Sequence, residues 1–188
     1  LQHCIVLEYM AEGSLRLRLR NHLAASPGSG LAPRQLTARE RFEVASDVAR
    51  GLEFLHTVPS PPIIHQDVKS DNILLTLVHG QLVAKIADFG AVRIAPSLLT
   101  STHYSAPDVI GTKPYQPPEY TGQGHVSEKT DTFAFGVVLL ELLTAKPPSN
   151  KQTHEFLYTE LAQALREANT ALPPLLDKRA GKWPREKA

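Results

Sequence analysis

The chain has 188 residues, of which 42% are hydrophobic and 21% charged, the composition of an ordinary globular domain. A formal net charge of +1 excludes a strong electrostatic attraction to nucleic acid or to an anionic membrane surface. The single cysteine, Cys4, excludes a disulfide within the chain and fits a reducing compartment such as the cytosol. The longest apolar run ends at Glu141 and is too short to span a membrane. Because the chain does not begin with Met, we expect a fragment of a longer protein.

The N-terminal part of the chain contains a predicted strand and a predicted helix. Residues 4–10 are mostly apolar and predict a buried strand. Leu and Arg alternate over residues 15–20, which on its own favours a strand, but the leucines also recur every four residues and Ser14 is a suitable N-cap. We therefore predict a helix there, and we interpret the arginines at positions 16, 18 and 20 as part of a solvated helix face.

The next predicted helix has the clearest start signal in the chain. Thr37 and Glu40 have the spacing of a capping box, in which a Thr oxygen and a Glu three residues later satisfy free backbone amides. The helix should end near His56, ahead of Pro59. Its predicted apolar stripe consists of Phe42, Ala45, Val48, Ala49, Leu52 and Leu55.

Short strands are predicted at Ile63-Ile64 and at residues 73–75, on either side of a polar loop. His79-Gly80 predicts a tight hairpin whose return strand covers residues 82–86. Residues 91–120 show little periodicity, which is typical of a functional or disordered segment.

Two further helices are predicted near the C-terminal end. The stronger one covers residues 127–144, and its portion from Phe133 to Leu143 is apolar nearly all round, which predicts burial on every side. A weaker helix is predicted over residues 153–168.

An acid, a base and an amide occupy the polar loop between the two short strands. Asp67 can accept a proton from a hydroxyl, Lys69 can neutralise charge developing on a phosphoryl group, and Asn72 offers a neutral oxygen to a hard cation. Asp88, followed by Phe89-Gly90, suits a metal-bridged phosphate site, because Mg²⁺ prefers one or two carboxylates together with phosphate oxygens. Each residue on its own is more often an ordinary turn residue; the combination favours phosphate chemistry.

Together these motifs resemble those of protein kinases. His65–Asn72 resembles the H-R-D-x-K-x-x-N catalytic loop, and Asp88–Gly90 resembles the D-F-G motif. Further matches, in the family's order and at its spacing over residues 3–146, are Leu7–Met10 with Gly13–Leu15, Gly111-Thr112, Pro117–Glu119 and Asp131–Gly136. The residues within these motifs most resemble those of plant receptor-like and interleukin-receptor-associated kinases, in the tyrosine-kinase-like group.

The resemblance implies an α+β, protein-kinase-like fold, with a mainly helical C-lobe, a small β-hairpin at the cleft and almost none of the N-lobe. Residues 1–188 would be a partial kinase domain, in which residues 1–10 form the last N-lobe strand and the hinge, and residues 11–188 an incomplete C-lobe. The family's Gly-rich loop, strand Lys and partner helix Glu would lie before Leu1. We therefore expect the fragment alone to be inactive and poorly folded.

The resemblance also implies a role for each site residue. Asp67 would orient and deprotonate the substrate hydroxyl, and Lys69 would contact the transferred phosphoryl group. Asn72 and Asp88 would hold two Mg²⁺ ions. The full nucleotide-binding set would be Leu7 as gatekeeper, Glu8 and Met10 through their backbones, Lys69, Asn72, Leu74 against the adenine, and Asp88.

Five other residues would support the site in this reading. His65 and Phe89 would stack in an apolar spine, and Asp131 would accept backbone amides of the catalytic loop. Thr112 would contact Asp67 or Lys69 and shape the acceptor site. Glu119 would pair with an Arg further along the chain.

Gln66 departs from the family motif, which has Arg at this position. That Arg normally pairs with a phosphorylated activation-loop residue through charge-assisted hydrogen bonds that a neutral Gln cannot make. The substitution resembles the non-RD kinases common among plant immune receptors. Phosphorylation between Arg93 and Ser105 is therefore not expected to be the dominant switch. The candidate phosphosites there are Thr100, Ser101, Thr102 and Ser105.

The sequence thus predicts a fragment of an ATP-dependent serine/threonine kinase, with ATP and Mg²⁺ as cofactors. The alternative is a pseudokinase or scaffold module that keeps the fold without phosphotransfer, and the presence of Asp67, Lys69, Asn72 and Asp88 argues for activity. The expected partners are ATP and a protein substrate, and not nucleic acid. The expected location is the cytoplasm, including the cytoplasmic side of a membrane receptor.

Overall fold

The computed structural model describes residues 4–20, 35–94, 104–105, 111–118, 125–168 and 175–183. Its helices are α1 (Leu15–Arg20), α2 (Ala38–Thr57), α3 (Glu128–Thr144) and α4 (Leu157–Ala168). Its strands are β1 (Gly13–Ser14), β2 (Ile63–Ile64), β3 (Ile73–Val78), β4 (Gln81–Ile86), β5 (Arg93–Ile94), β6 (Tyr104–Ser105) and β7 (His125–Val126). Short 3₁₀ turns lie at Phe89–Ala91, Lys113–Tyr115 and Lys178–Ala180. The predicted mainly helical lobe with a small sheet is confirmed.

The largest sheet is antiparallel, with β3 between β1 and β4. The predicted hairpin joins β3 to β4 through His79 and Gly80, whose φ angles of 49° and 79° both lie in the left-handed region. Two successive residues of this kind match the right-handed twist of the flanking strands. Elsewhere β2 pairs with β5 and β6 with β7, again antiparallel.

Helix α2 begins at the predicted capping box. The Thr37 side chain accepts the Glu40 backbone N–H, and the Glu40 carboxylate accepts the Thr37 N–H at 2.9 Å. The predicted stripe is partly wrong, because Phe42 is 73% exposed while Arg41 is buried. Arg41 lies on the same face of α2 as the buried Val44 and Val48, and Phe42 points about 100° away from Arg41, toward solvent. The buried positions of α2 are Ala38, Arg41, Val44, Val48, Leu52 and Leu55.

Arg41 is tolerated in the core because all three guanidinium nitrogens are hydrogen-bonded. Nη2 donates to Asp177 at 2.6 Å, Nη1 to the Leu142 carbonyl at 2.8 Å, and Nε to the Leu36 carbonyl at 3.1 Å. Burial alone would raise the pKa of Asp177, but hydrogen bonds from Arg179 and Arg41 hold it below its ordinary value. This cluster fastens residues 175–183 to α2 and to the end of α3.

Helix α3 runs through the centre of the lobe. Its N-cap is Ser127, whose side chain accepts the Lys129 N–H. Each residue from Phe133 to Leu143 is buried or half-buried, which confirms the prediction of burial on every side. The core joins α1, α2, β3, β4 and α3 through Leu15, Leu19, Val44, Val48, Leu52, Ile73, Leu75, Ala84, Val137, Val138 and Leu142.

Helix α4 starts at Leu157, four residues later than predicted. His154 has a φ of 58°, in the left-handed region that interrupts a right-handed helix. The Asn150 side chain accepts the N–H groups of Gln152 and Thr153, which supplies a turn in place of a first helical turn.

The strand predicted over residues 4–10 is wrong. These residues belong to none of the strands, and Ile5 and Val6 are 86% and 93% exposed. An isolated extended segment has neither hydrogen-bond partners nor a surface that covers its side chains. Leu7 and Tyr9 are also exposed, at 81% and 80%, so the apolar side chains of residues 5–9 face solvent.

The solvated face predicted for the arginines of α1 is wrong for two of the three, because Arg18 is buried and Arg20 half-buried, whereas Arg16 is exposed. Arg18 is 7% exposed and forms an ion pair with the equally buried Glu12. Arg16 and Arg20 each pair with a carboxylate far away in sequence.

None of the helices in the described ranges combines the length and apolar character needed to cross a membrane.

Candidate active site

The polar loop between β2 and β3 converges on the carboxylate of Asp67. Lys69 Nζ donates to Asp67 Oδ2 at 2.6 Å, and Asn72 Nδ2 donates to the same oxygen at 3.1 Å. Thr112 Oγ1, from a remote segment, donates to Asp67 Oδ1 at 3.0 Å. Lys69 Nζ also donates to Thr112 Oγ1 at 3.1 Å. The predicted Asp67, Lys69 and Asn72 are therefore neighbours, and Thr112 contacts two of them.

Asp88 follows the residue that the β3–β4 pairing joins to the backbone of Asn72. Ile73 lies opposite Ile86, and the Ala87 N–H donates to the Asn72 carbonyl at 2.8 Å. Asp88 follows immediately, with a φ of 65°. Its exposed carboxylate accepts the Gly90 N–H at 3.3 Å. The sheet thus places a solvent-facing carboxylate one residue beyond the backbone bond to Asn72.

The segment after β4 is held against the loop by side chains from residues 65 and 66. The His65 ring lies edge-on to Phe89 with 5.1 Å between centroids, and His65 Nε2 is 3.1 Å from the Ala87 carbonyl oxygen. Gln66 Nε2 donates to the Ala91 carbonyl at 2.9 Å. His65 is fully buried, so its contacts are those of a packed core side chain.

Asp131, at the start of α3, accepts the backbone of the loop. Its Oδ2 accepts the His65 N–H at 2.8 Å and its Oδ1 accepts the Gln66 N–H at 2.8 Å. His56 Nε2 lies 2.9 Å from Oδ2. Asp131 is 1% exposed, so these hydrogen bonds replace the water that the carboxylate loses on folding.

The remaining residues of the predicted nucleotide set lie in β3 or in the segment that precedes β1. The Glu8 carboxylate pairs with Lys85, which is opposite Leu74 in the β3–β4 register. The Met10 carbonyl accepts the Gly13 N–H at 3.1 Å, just before β1 joins β3. Leu7 is 81% exposed, so its side chain is not packed beside Leu74.

Asn72 and Asp88 together fit a cation that also binds phosphate. The Asn72 amide N–H groups donate hydrogen bonds to Asp67, so the amide oxygen is the atom of this side chain that could bind a cation. One amide oxygen and one carboxylate are hard ligands of the kind that Mg²⁺ takes alongside phosphate oxygens. Within the described ranges, no group of three or more His, Cys, Asp and Glu side chains could hold a metal on its own.

Sequence reasoning missed a buried cluster beneath the loop. The Glu141 carboxylate, 1% exposed, accepts hydrogen bonds from Ser70 Oγ at 3.0 Å, Tyr115 Oη at 2.7 Å and Arg20 Nη2 at 3.2 Å. The signal was available in the sequence, because Glu141 is the one charged residue in the apolar run from Phe133 to Leu143. Lone buried carboxylates in such a run need partners from elsewhere in the fold.

Two predicted features lie outside the described residues. They are the pairing of Glu119 and the candidate phosphosites Thr100, Ser101 and Thr102. The backbone of Ser105, the fourth candidate phosphosite, lies in β6 opposite His125.

An acid, a lysine and an amide thus lie on one loop, and an exposed carboxylate follows the hairpin that is bonded to this loop. The family model described as protein kinase domain matches residues 2–186, and the chain belongs to this family.

The curated relatives include plant receptor-like kinases and an insect kinase. Calmodulin-binding receptor-like cytoplasmic kinase 2 of Arabidopsis thaliana is 41% identical over 144 residues, which cover 77% of this chain and 32% of the relative. Receptor-like protein kinase THESEUS 1 of the same plant is 45% identical over 146 residues, covering 78% and 15%. Serine/threonine-protein kinase pelle of Drosophila melanogaster is 40% identical over 148 residues, covering 79% and 28%. The chain spans about a third or less of the length of these relatives.

Proposed function

We propose that the protein is an ATP-dependent serine/threonine kinase, which transfers the γ-phosphoryl group of ATP to a Ser or Thr hydroxyl of a protein. The observation that carries this proposal is the convergence of Lys69, Asn72 and Thr112 on the Asp67 carboxylate. The relative named serine/threonine-protein kinase pelle supports the class of acceptor.

In the proposed reaction, Asp67 takes the proton of the acceptor hydroxyl while the hydroxyl oxygen attacks the γ-phosphorus of ATP. The bond from the γ-phosphorus to the β–γ bridging oxygen breaks, and ADP leaves. Lys69, whose ammonium lies 2.6 Å from Asp67 Oδ2, is placed to balance the charge of the transferred phosphoryl group. Thr112 would set the position of the acceptor through its two contacts.

Asn72 and Asp88 are the residues proposed to hold Mg²⁺, which when bound neutralises charge on the nucleotide phosphates. The adenine would lie against Leu74 and Leu7, within reach of the backbones of Glu8 and Met10. The packing of Leu75 and Ile73 into the core fixes β3, so Leu74 projects from a rigid strand.

The proposed partners are ATP and a protein substrate. We also propose a cytoplasmic location, which includes the cytoplasmic side of a membrane receptor, because phosphotransfer of this kind draws on cytosolic ATP. The names of the plant relatives, which contain the words receptor-like and cytoplasmic kinase, agree with either arrangement.

The test is transfer of labelled γ-phosphate from ATP to a Ser/Thr peptide library by the full-length protein, with Mg²⁺ present. We expect Asp67→Asn to lower kcat by about 10²- to 10⁴-fold, the usual contribution of a positioned general base. Phosphoamino-acid analysis should show phosphoserine or phosphothreonine. Phosphotyrosine as the main product would contradict the proposed acceptor class.

The control separates an active kinase from the pseudokinase alternative. Lys69→Met should abolish most transfer, whereas Lys146→Met, which removes an exposed lysine paired with Glu160, should leave it unchanged. A pseudokinase would bind ATP in a calorimetric titration yet show no more transfer than the Asp67→Asn variant.

A further inference from the structure

The exposed segment at the start of the chain reaches the core of the lobe at Glu12. Each residue from 4 to 9 is exposed, whereas Glu12 is 7% exposed. The Glu12 N–H donates to the Leu75 carbonyl at 3.0 Å. The turn that contains Glu12 closes through the Gly13 N–H, which donates to the Met10 carbonyl at 3.1 Å. The backbone that precedes β1 is therefore first fastened to the lobe at this turn.

The Glu12 carboxylate is held by a buried arginine of α1. Arg18 Nη1 donates to Glu12 Oε2, and the two side chains are only 8% and 7% exposed. Arg18 Nε is buried as well and has no hydrogen-bond partner within the described ranges. Because a guanidinium keeps its charge when buried, the Glu12 carboxylate is what compensates it. The ion pair of Glu8 with Lys85 is about half exposed, so solvent screening makes it a weaker anchor.

Helix α1 is a rigid support for this ion pair, because it is itself fixed to the polar loop and to the core. The Arg16 N–H donates to the Ser70 carbonyl at 3.0 Å, and Arg16 Nη1 contacts both carboxylate oxygens of Asp71 at 2.9 Å. Leu15, at the start of the helix, is fully buried in the core. Arg18 therefore ties the turn to an element that cannot shift on its own.

The anchored turn lies beside the surface proposed for the adenine. Met10 begins the turn, and Ser14, two residues after Glu12, is opposite Leu74 in the register of β1 and β3. The Met10 backbone and the Leu74 side chain are two sides of the proposed adenine site. A displacement of the turn relative to β3 would therefore change the space available to the base.

We propose that Glu12 and Arg18 form a positioning pair for the nucleotide, which holds the turn of residues 10–13 at the spacing from Leu74 that the adenine requires. The inference rests on the proposed kinase function, because the adenine site belongs to that function. Neither side chain of the pair needs to touch the nucleotide. Both act through the turn, so their loss should weaken the binding of ATP and leave the phosphoryl transfer step intact.

The experiment is a double-mutant cycle in the full-length protein, with Glu12→Gln, Arg18→Met and the variant that carries both. We expect the KM for ATP to rise by about tenfold in each single variant, the equivalent of one hydrogen bond to the base. The kcat should stay within about twofold of wild type, since the lost interaction is one of binding. The double variant should show the same rise in KM as each single variant, because the pair acts as a unit.

The exposed ion pair of Arg39 with Glu43 on α2 is the matched control. Glu43→Gln and Arg39→Met repeat the same chemical changes and should leave both KM and kcat unchanged. The double variant of Glu12 and Arg18 has no unpaired buried charge, so it tests the proposal even where a single variant fails to fold.

Calorimetric titration with ATP and hydrogen exchange of residues 10–14 separate this inference from the proposed function. A wild-type protein that binds ATP without transferring phosphate contradicts the proposed function alone, and the Kd for ATP then replaces KM in the cycle. Weaker binding of ATP together with faster exchange in the double variant than in the controls supports the positioning pair. A wild-type protein that binds no ATP contradicts both proposals.

Three results would overturn the positioning pair alone. The first is an unchanged KM and Kd for ATP in the double variant. The second is a rise of about a hundredfold in the double variant, since the effects of independent residues multiply. The third is a fall in kcat as large as the rise in KM, because the defect would then not be confined to nucleotide binding.

Discussion

Asp131 accepts the backbone N–H of His65 at 2.8 Å, which ties the catalytic loop to a helix 66 positions further along the chain. The other oxygen of Asp131 accepts the next N–H of the loop, that of Gln66. The start of the loop is therefore held by Asp131, and its far end by the cluster around Glu141. Both carboxylates are 1% exposed and belong to α3, so one rigid helix supports both ends of the loop.

We expect Asp131→Ala to destabilise the fold strongly. The substitution leaves the N–H groups of His65 and Gln66 buried without acceptors, which should lower the free energy of unfolding by about 2–5 kcal/mol. Urea unfolding of the full-length protein measures the change. Glu53→Ala, on the exposed face of α2, should change it by less than about 0.5 kcal/mol. An Asp131→Ala variant as stable as this control would refute the prediction.

Activity should depend little on phosphorylation of the segment after β5. Gln66 holds the turn that precedes β5 through its hydrogen bond to the Ala91 carbonyl, and this bond needs no phosphate. Replacing the four candidate phosphosites together by Ala should therefore lower activity by less than about tenfold. They are Thr100, Ser101, Thr102 and Ser105.

The substitution Gln66→Arg also tests whether activity depends on phosphorylation after β5. Arginine can form charge-assisted bonds to a phosphorylated residue, so this variant should lose activity on phosphatase treatment while the wild-type protein keeps it. The prediction fails when the fourfold Ala variant loses more than about tenfold activity, the scale of a loop-ordering switch.

Gly111→Ala should impair both folding and activity. Gly111 has a φ of 109°, and a Cβ there would lie 2.7 Å from the Gln66 carbonyl oxygen. The clash would push the adjoining Thr112 away from Asp67, with a stability cost of about 1–3 kcal/mol for the strained backbone. The control is Gly136→Ala within α3, where a Cβ meets nothing within 4 Å. That change should be neutral or stabilise by up to about 1 kcal/mol, so equal effects at both glycines would contradict the argument.

Glu141 should make the fold less stable as the pH rises. Burial raises its pKa from 4.5, the value of an unperturbed carboxyl group, to about 7 when folded, so the unfolded chain releases this proton first. The free energy of unfolding should therefore fall between about pH 4.5 and about pH 7, relative to Glu141→Gln, which lacks this titration. Urea unfolding of both proteins across that range gives the difference. If the free energy of unfolding, taken relative to Glu141→Gln, stays constant or grows with pH, the prediction is wrong.

The local features of the fold followed from the sequence because their interactions lie between near neighbours. Thr37 and Glu40 cap α2 across three positions, and His79-Gly80 closes the hairpin between adjacent strands. The polar loop could also be predicted from the sequence, since Asp67 and Asn72 are only five positions apart, and Lys69 and Asn72 both contact Asp67 directly.

The tertiary structure alone decided which charged side chains of α1 serve the site. Arg16 pairs with Asp71 across 55 positions and Arg20 with Glu141 across 121. The alternation of Leu and Arg in a short segment predicts neither of these partners. Thr112 reaches Asp67 across 45 positions as well, and the resemblance to protein kinases predicts this contact although no local pattern does. A buried ion pair is stable only where desolvation is offset by a partner at hydrogen-bonding distance, and that distance is set by the packing of whole helices.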